Sequence, residues 1–324
     1  MNIKKNVFSS ESERKVYKSL DTVWGQKFNL FSALPFTNII NVQDTEFTEG
    51  ERRYLRSTSV DFTLCEKDSD RPLVSVEFDG LSHGFSRSGQ FVETLQTQKD
   101  PNRKWKLDLK LKAAQEVFYP FYVVSYTEAY PFNESFQLSV LDGILSHVLQ
   151  GIYLPQFLSE RADELDDRLE NNFSTVKEVY ARIGESYSRE DFIQDWITEK
   201  EIEMEYEFNP FAKKASELRV ALLRKGVEIS AKTEEWVDDP NDSFGTKLAS
   251  GVQSRLEQLR NASQTGAHVV LEGSFGKVEK TIWVRNVSLP SIFTSDFDMT
   301  PSLVAMDIAR LQALHEINTN SHRV

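Results

Sequence analysis

Residues 57–83 read STSVDFTLCEKDSDRPLVSVEFDGLSH. Two stretches within them, 57–66 and 73–79, alternate polar and apolar positions and are rich in β-branched and aromatic side chains, the composition of strands. The polar segment 66–72 between them is short enough to make the two strands antiparallel neighbours, and Gly80 ends the second. Each strand carries one carboxylate between large apolar residues, as Val60-Asp61-Phe62 and Val76-Glu77-Phe78. A lone carboxylate in a buried strand costs several kcal/mol unless something pairs with it, and two on adjacent strands also repel. A shared divalent cation removes both penalties, since Mg²⁺ binds through one or two carboxylates together with water and phosphate oxygens. The alternative is that both acids alternate onto a solvated face. Asp79 weighs against it by sharing the face of Glu77 two residues on, and His83 follows just beyond the strand end.

Upstream, residues 10–24 form a helix, with Ser10 and Glu13 spaced as a capping box and Val16, Leu20 and Val23 as its apolar stripe. Residues 37–42, TNIINV, are a short strand candidate. Downstream, 81–99 is a polar, Gly/Ser-containing loop of a length that is often functional. Asp100-Pro101 is a helix start, with Asp as N-cap and Pro at the first helical position. The stretch KWKLDLKLK alternates like a strand, yet Leu107, Leu111, Ala114 and Phe118 fit one helical face and Arg103, Lys106 and Lys110 another. The Asp-Pro start and the run LKAAQEVF favour the helix. Residues 119–126, YPFYVVSY, are a buried strand. The order α-β-β-β-α-β predicts an α/β fold with a mixed sheet flanked by helices.

The chain divides near residue 150. Residues 1–150 hold 18 Lys+Arg against 20 Asp+Glu, whereas 151–324 hold 20 against 30. The second region is acidic and mainly helical: 156–235 reads as largely helical, 246–261 and 301–318 as further helices, and 268–286 as a β-hairpin turning near 273–277. Its charge makes it a poor duplex binder and suits it to a protein partner or to self-association. The net charge of −12 weighs against a nucleic-acid ligand, but within 85–112 seven basic residues face three acids, a local basic surface beside the acidic pair. With 40% hydrophobic and 27% charged residues, the 324-residue chain supports a packed core. No apolar run approaches the roughly 18 residues of a membrane span. The start has two lysines but no apolar signal-peptide core, and a single cysteine, Cys65, allows no internal disulfide, so a reducing cytoplasmic setting is expected. There is no Walker A loop, HExxH, zinc-ligand spacing or G-x-S-x-G.

Over residues 8–130 the chain resembles the restriction-endonuclease-like, or PD-(D/E)XK, nuclease superfamily, and within it the Vsr-like group that includes the DUF559 and DUF2726 domains. Those domains show a helix with Glu, a strand Asp, E-x-D-G-x-x-H, a loop, and D-x-x-(R/K) opening a helix. This sequence offers Glu13 in SSESERKVYKSL, Asp61 in SVDF, then Glu77, Asp79, Gly80 and His83 in VEFDGLSH, and Asp100 and Arg103 in DPNR. The resemblance implies a Mg²⁺- or Mn²⁺-dependent endonuclease that hydrolyses phosphodiester bonds in DNA, with Asp61 and Glu77 as metal ligands and the Phe78 carbonyl as a further one. It makes Glu13 an additional carboxylate, although the capping box explains that residue equally well. His83 would position water or the scissile phosphate, or be a plain loop histidine, and Asp100 reads better as an N-cap. The superfamily's lysine two residues after the acid is replaced here by Asp79. The basic group would then come from the following helix, where Arg103, Lys104, Lys106 and Lys110 stay open, while Arg87, Lys99, Lys106 and Lys110 are expected to face nucleic acid. By analogy such nucleases serve DNA repair, restriction or anti-phage defence. The alternative is a catalytically inactive subunit of the same fold that binds nucleic acid or a partner protein.

Overall fold

The computed structural model describes residues 8, 10–43, 46–79, 102–238, 264–285 and 300–321. Ser10 Oγ accepts the Glu13 N–H at 3.1 Å and opens α1 (Glu11–Trp24), which buries Val16, Leu20 and Trp24. Strand β1 (Phe28–Pro35) pairs antiparallel with β2 (Ser59–Glu66), which pairs antiparallel with β3 (Pro72–Phe78). Helix α2 (Glu49–Ser57) precedes β2 and starts on a capping box between Thr48 and Glu51. Helix α3 (Arg103–Glu116) leads to β4 (Phe121–Val124), which lies parallel to β3, as parallel neighbours need a crossover of a dozen or more residues. The result is a mixed four-stranded sheet in the order β1-β2-β3-β4.

Two local expectations change. Residues 37–42 form no strand: Phe36–Asn38 is a 3-10 turn, and Ile40 and Val42 are buried as anchors of a connecting segment. The edge position belongs to β1, whose ladder to β2 runs from Phe28↔Glu66 to Pro35↔Ser59. The ambiguous segment after Asn102 is helical, with Leu107, Leu111 and Ala114 buried. Phe118 lies past the helix end at φ 52° and is exposed. Across β2 and β3, Thr63 Oγ1 and Ser75 Oγ hydrogen-bond at 2.9 Å. Strand alternation therefore puts Asp61 and Glu77 on that same face, opposite Phe62, Leu64, Val74 and Val76.

Beyond the sheet come α4 (Tyr126–Ala129), the short pair β5 (Pro131–Asn133) and β6 (Leu138–Ser139), and α5 (Val140–Ser159). Position 150 lies inside α5. Asp142 in its first turn accepts from Trp24 Nε1 at 2.9 Å and from the Ser139 N–H and hydroxyl at 2.8 and 2.7 Å, tying α5 to α1. Then follow α6 (Ala162–Asn171), α7 (Phe173–Arg182), α8 (Arg189–Phe208) and α9 (Pro210–Arg224). The hydrophobic core is continuous from α1 and the sheet through Leu145 and Leu149 to Met204 and Phe208.

The expected hairpin is present as β8 (Gln264–Gly273) and β9 (Gly276–Arg285), and Gly276 takes φ 91° at the turn. A third strand, β7 (Ile229–Asp238), pairs with β8, so the helical reading of 156–235 stops short: Gly226 at φ 71° follows α9 and the chain becomes extended. Helix α10 (Thr300–Asn320) packs on β8 and β9. The helix expected at 246–261 lies outside the described residues. Among the described residues no helix is long and apolar enough to cross a membrane.

Candidate functional site

Asp61 and Glu77 sit toward one end of the central strand pair. The Phe78 N–H donates to Asp61 Oδ2 at 2.8 Å, so the carboxylate of β2 is held against the end of β3. Lys110 comes from α3 and is only 4% exposed. Its ammonium donates to Glu77 Oε1 and to the Ser59 carbonyl, both at 2.8 Å. Two of its three N–H donors are thus engaged among the described residues. Glu77 Oε2 is buried and accepts no hydrogen bond there. Burial, and then the charge of Glu77, push the Asp61 pKa up to about 8, against the Phe78 N–H and Lys110, which pull it down. The charge of Glu13 on α1 adds to the upward push. Two acids and one buried lysine therefore converge from β2, β3 and α3, with Glu13 within electrostatic reach of Asp61.

Of the other expected residues, Asp79 is buried just past β3, and its N–H donates to the Val124 carbonyl at 2.7 Å. Lys106 lies one turn before Lys110 on α3 and is half-buried. Arg103 and Lys104 stand in the first turn of α3, but their side chains lie outside the described part. Gly80, His83, Arg87, Lys99 and Asp100 lie outside the described residues. Lys110, one of the candidates for the basic group and also expected to face nucleic acid, is buried and paired with Glu77. Its helical position explains this: three residues after Leu107 and four before Ala114, it stands on the buried stripe of α3. That spacing was the available signal. The Ser59 carbonyl and Phe78 amide are main-chain partners that no side-chain motif announces.

Among the described residues no group of three or more His, Cys, Asp or Glu side chains is placed to hold a metal ion. Asp61 and Glu77 nevertheless fit a hard divalent cation that takes its remaining ligands from water and substrate. Glu77 keeps a buried oxygen without a donor, and the ionised form of Asp61 is disfavoured in the absence of a cation.

The fold and site together are those of a mixed α/β protein with a carboxylate–lysine cluster at a sheet end. A family model described as protein of unknown function (DUF2726) matches residues 4–105. That span holds Glu13, Asp61 and Glu77 and ends before Lys110. Neither a curated protein nor a solved structure shows a significant match to the chain.

Proposed function

We propose that the chain is a metal-dependent endonuclease acting on DNA, and that its sheet with α1 and α3 is a restriction-endonuclease-like core. The observation that carries this reading is Lys110, buried and bonded to Glu77 beside Asp61. It supplies from α3 the basic group that Asp79 displaces from the strand. A Mg²⁺ or Mn²⁺ ion held by Asp61 and Glu77 would supply an acidified water and charge neutralisation at the phosphate. The chain's own groups do the rest. The Phe78 N–H fixes the orientation of Asp61, and Lys110 holds Glu77 Oε1 while keeping one N–H for a phosphate oxygen whose charge grows in the transition state. Glu13 adds negative charge from the α1 side and favours a cation at the cluster.

The test is incubation of the protein with circular and linear DNA and with RNA, in EDTA, Mg²⁺ and Mn²⁺. Metal-dependent cleavage is expected for wild type, with a loss of about 10²–10³-fold in Lys110→Met and no detectable product from Glu77→Gln. Wild type as inert as Glu77→Gln on every substrate would end the enzyme reading. The closed Lys110–Glu77 pair favours a second reading, an inactive nuclease-fold subunit that binds nucleic acid or a partner without cutting. It predicts binding that Glu77→Gln leaves intact. A role in repair, restriction or anti-phage defence remains an analogy attached to the first reading.

A further inference from the structure

An open cavity of about 750 Å³ lies between α1 and the segment from α4 to β5, lined by Ser12, Lys15, Tyr126, Tyr130 and Phe132 among others. We propose that it is a stacking subsite for one unpaired nucleobase at the sheet end that carries the carboxylate–lysine cluster, so that the chain engages single-stranded nucleic acid in preference to continuous duplex. The inference rests on the nuclease reading for the identity of the ligand and on the cavity itself for its location.

Two residues relate the cavity to the cluster. Tyr126 packs edge-on against Phe78, with ring centroids 5.2 Å apart at 83°, on the face of the sheet opposite Asp61 and Glu77, at the strand end where the Phe78 amide holds Asp61. Ser12, whose hydroxyl lies 2.6 Å from the Tyr126 hydroxyl, directly precedes Glu13. The cavity therefore opens on the Phe62–Phe78 face at the same end of the sheet, with the first turn of α1 between it and the carboxylates.

The lining suits a flat heterocycle. Tyr126 and Tyr130 lie 4.8 Å apart with rings tilted by 36°, and Phe132 adds a third ring. Tyrosines offer both an apolar face and a hydroxyl, which fits a base with an aromatic face and polar edges. The volume is that of a pocket for one small molecule, not a groove for a helix. Lys15 is exposed at the rim, where an ammonium can meet the phosphate attached to the base. Stacking on aromatic rings is indifferent to base identity, so the subsite recognises unpaired character and not sequence. A base within duplex DNA reaches such a cavity only after leaving its stack.

The experiment is fluorescence anisotropy of a labelled mixed-sequence DNA strand, its RNA counterpart and the DNA duplex, each in EDTA and in Ca²⁺, with cleavage in Mg²⁺ scored separately. Wild type is expected to bind a single strand at least about tenfold more tightly than the duplex, and Tyr130→Ala to lose about 5- to 100-fold of that binding. Lys15→Glu, a change at an exposed position, should weaken single-strand binding in the same direction. Duplex binding equal to or tighter than single-strand binding, no binding at all, or indifference to both Tyr130→Ala and Lys15→Glu overturns the subsite. Cleavage that persists alongside any of those results leaves the nuclease reading standing. Tyr130-dependent single-strand binding without cleavage keeps the subsite and removes the nuclease.

Discussion

Two regions of the molecule bury charge, and they treat it differently. In the C-terminal region Asp307 on α10 accepts from Asn209 Nδ2 at 2.8 Å and lies 3.1 Å from His147 Nε2 and 3.6 Å from Arg310 Nη1. Arg310 in turn grips both carboxylate oxygens of Glu234 on β7, which also pairs with Lys232 at 2.8 Å. Burial alone would raise the Glu234 pKa, but Arg310 and Lys232 outweigh it and hold the carboxyl below its usual value. At the sheet end the balance runs the other way. Lys110 bonds only Glu77 of the two buried acids, Glu77 keeps an unpartnered oxygen among the described residues, and Asp61 is driven up to about 8. Buried polar groups in native proteins are overwhelmingly satisfied. The satisfied cluster is a structural joint between α5, α9, α10 and β7, and the under-satisfied one is the cluster at which the proposed metal would bind.

The largest effect that separates them is expected from Lys110→Met. It strands Glu77 without its cation and should cost about 3–5 kcal/mol in urea denaturation. Adding Glu77→Gln should return most of that loss; a double variant as unstable as Lys110→Met alone would show that packing, not the ion pair, is responsible.

The pH response comes next. The Asp61 pKa is raised above its ordinary carboxylate value. Between about pH 4 and pH 8 the unfolded chain therefore releases a proton that the native chain keeps, and native stability falls as pH rises through this window. In EDTA, wild type should lose a few kcal/mol across this range relative to Asp61→Asn. Asp142, pushed up to about 6 by its burial, has the same sign, so a smaller decline ending near pH 6 should survive in the variant. At pH 8, Mn²⁺ at a hundredfold excess over its Kd should restore about 2–3 kcal/mol to wild type and nothing to Asp61→Asn.

Asp307→Ala removes an acceptor from Asn209 but leaves Arg310 its bidentate partner Glu234, so a loss of about 2 kcal/mol is expected, with the Mn²⁺ response of the sheet end unchanged. A lost Mn²⁺ response in that variant would join the two clusters and erase the contrast. The smallest effect is expected from Trp24→Phe. It takes one of three donors from Asp142 and should cost about 1 kcal/mol in thermal or urea unfolding.

Legibility followed pattern strength. Strands β2 and β3, the acids they carry, α1 and α10 were readable because each has a dense apolar period or a start signal. Strand β1, FNLFSALP, was not: exposed residues outnumber buried ones and Ala33 sits at φ 54°, so its strand character comes from its ladder to β2. Helix α2 buries only Leu55 and offers no stripe, though Thr48 and Glu51 carried a capping-box signal. Strand β7 holds Glu234, Glu235 and Trp236 in a charged stretch that resembled the helices before it, and its partner β8 is distant in sequence.

The amino-acid sequence alone determined that two carboxylates occupy adjacent antiparallel strands, because local alternation and a short polar turn leave little other choice. Which cation answers them, and how far each is removed from water, was decided only in three dimensions. Lys110 lies 33 residues from Glu77 along the chain, and it meets Glu77 and the Ser59 carbonyl only once α3 has packed against the sheet. Burial and charge pairing are properties of that packing, and no local pattern encodes them.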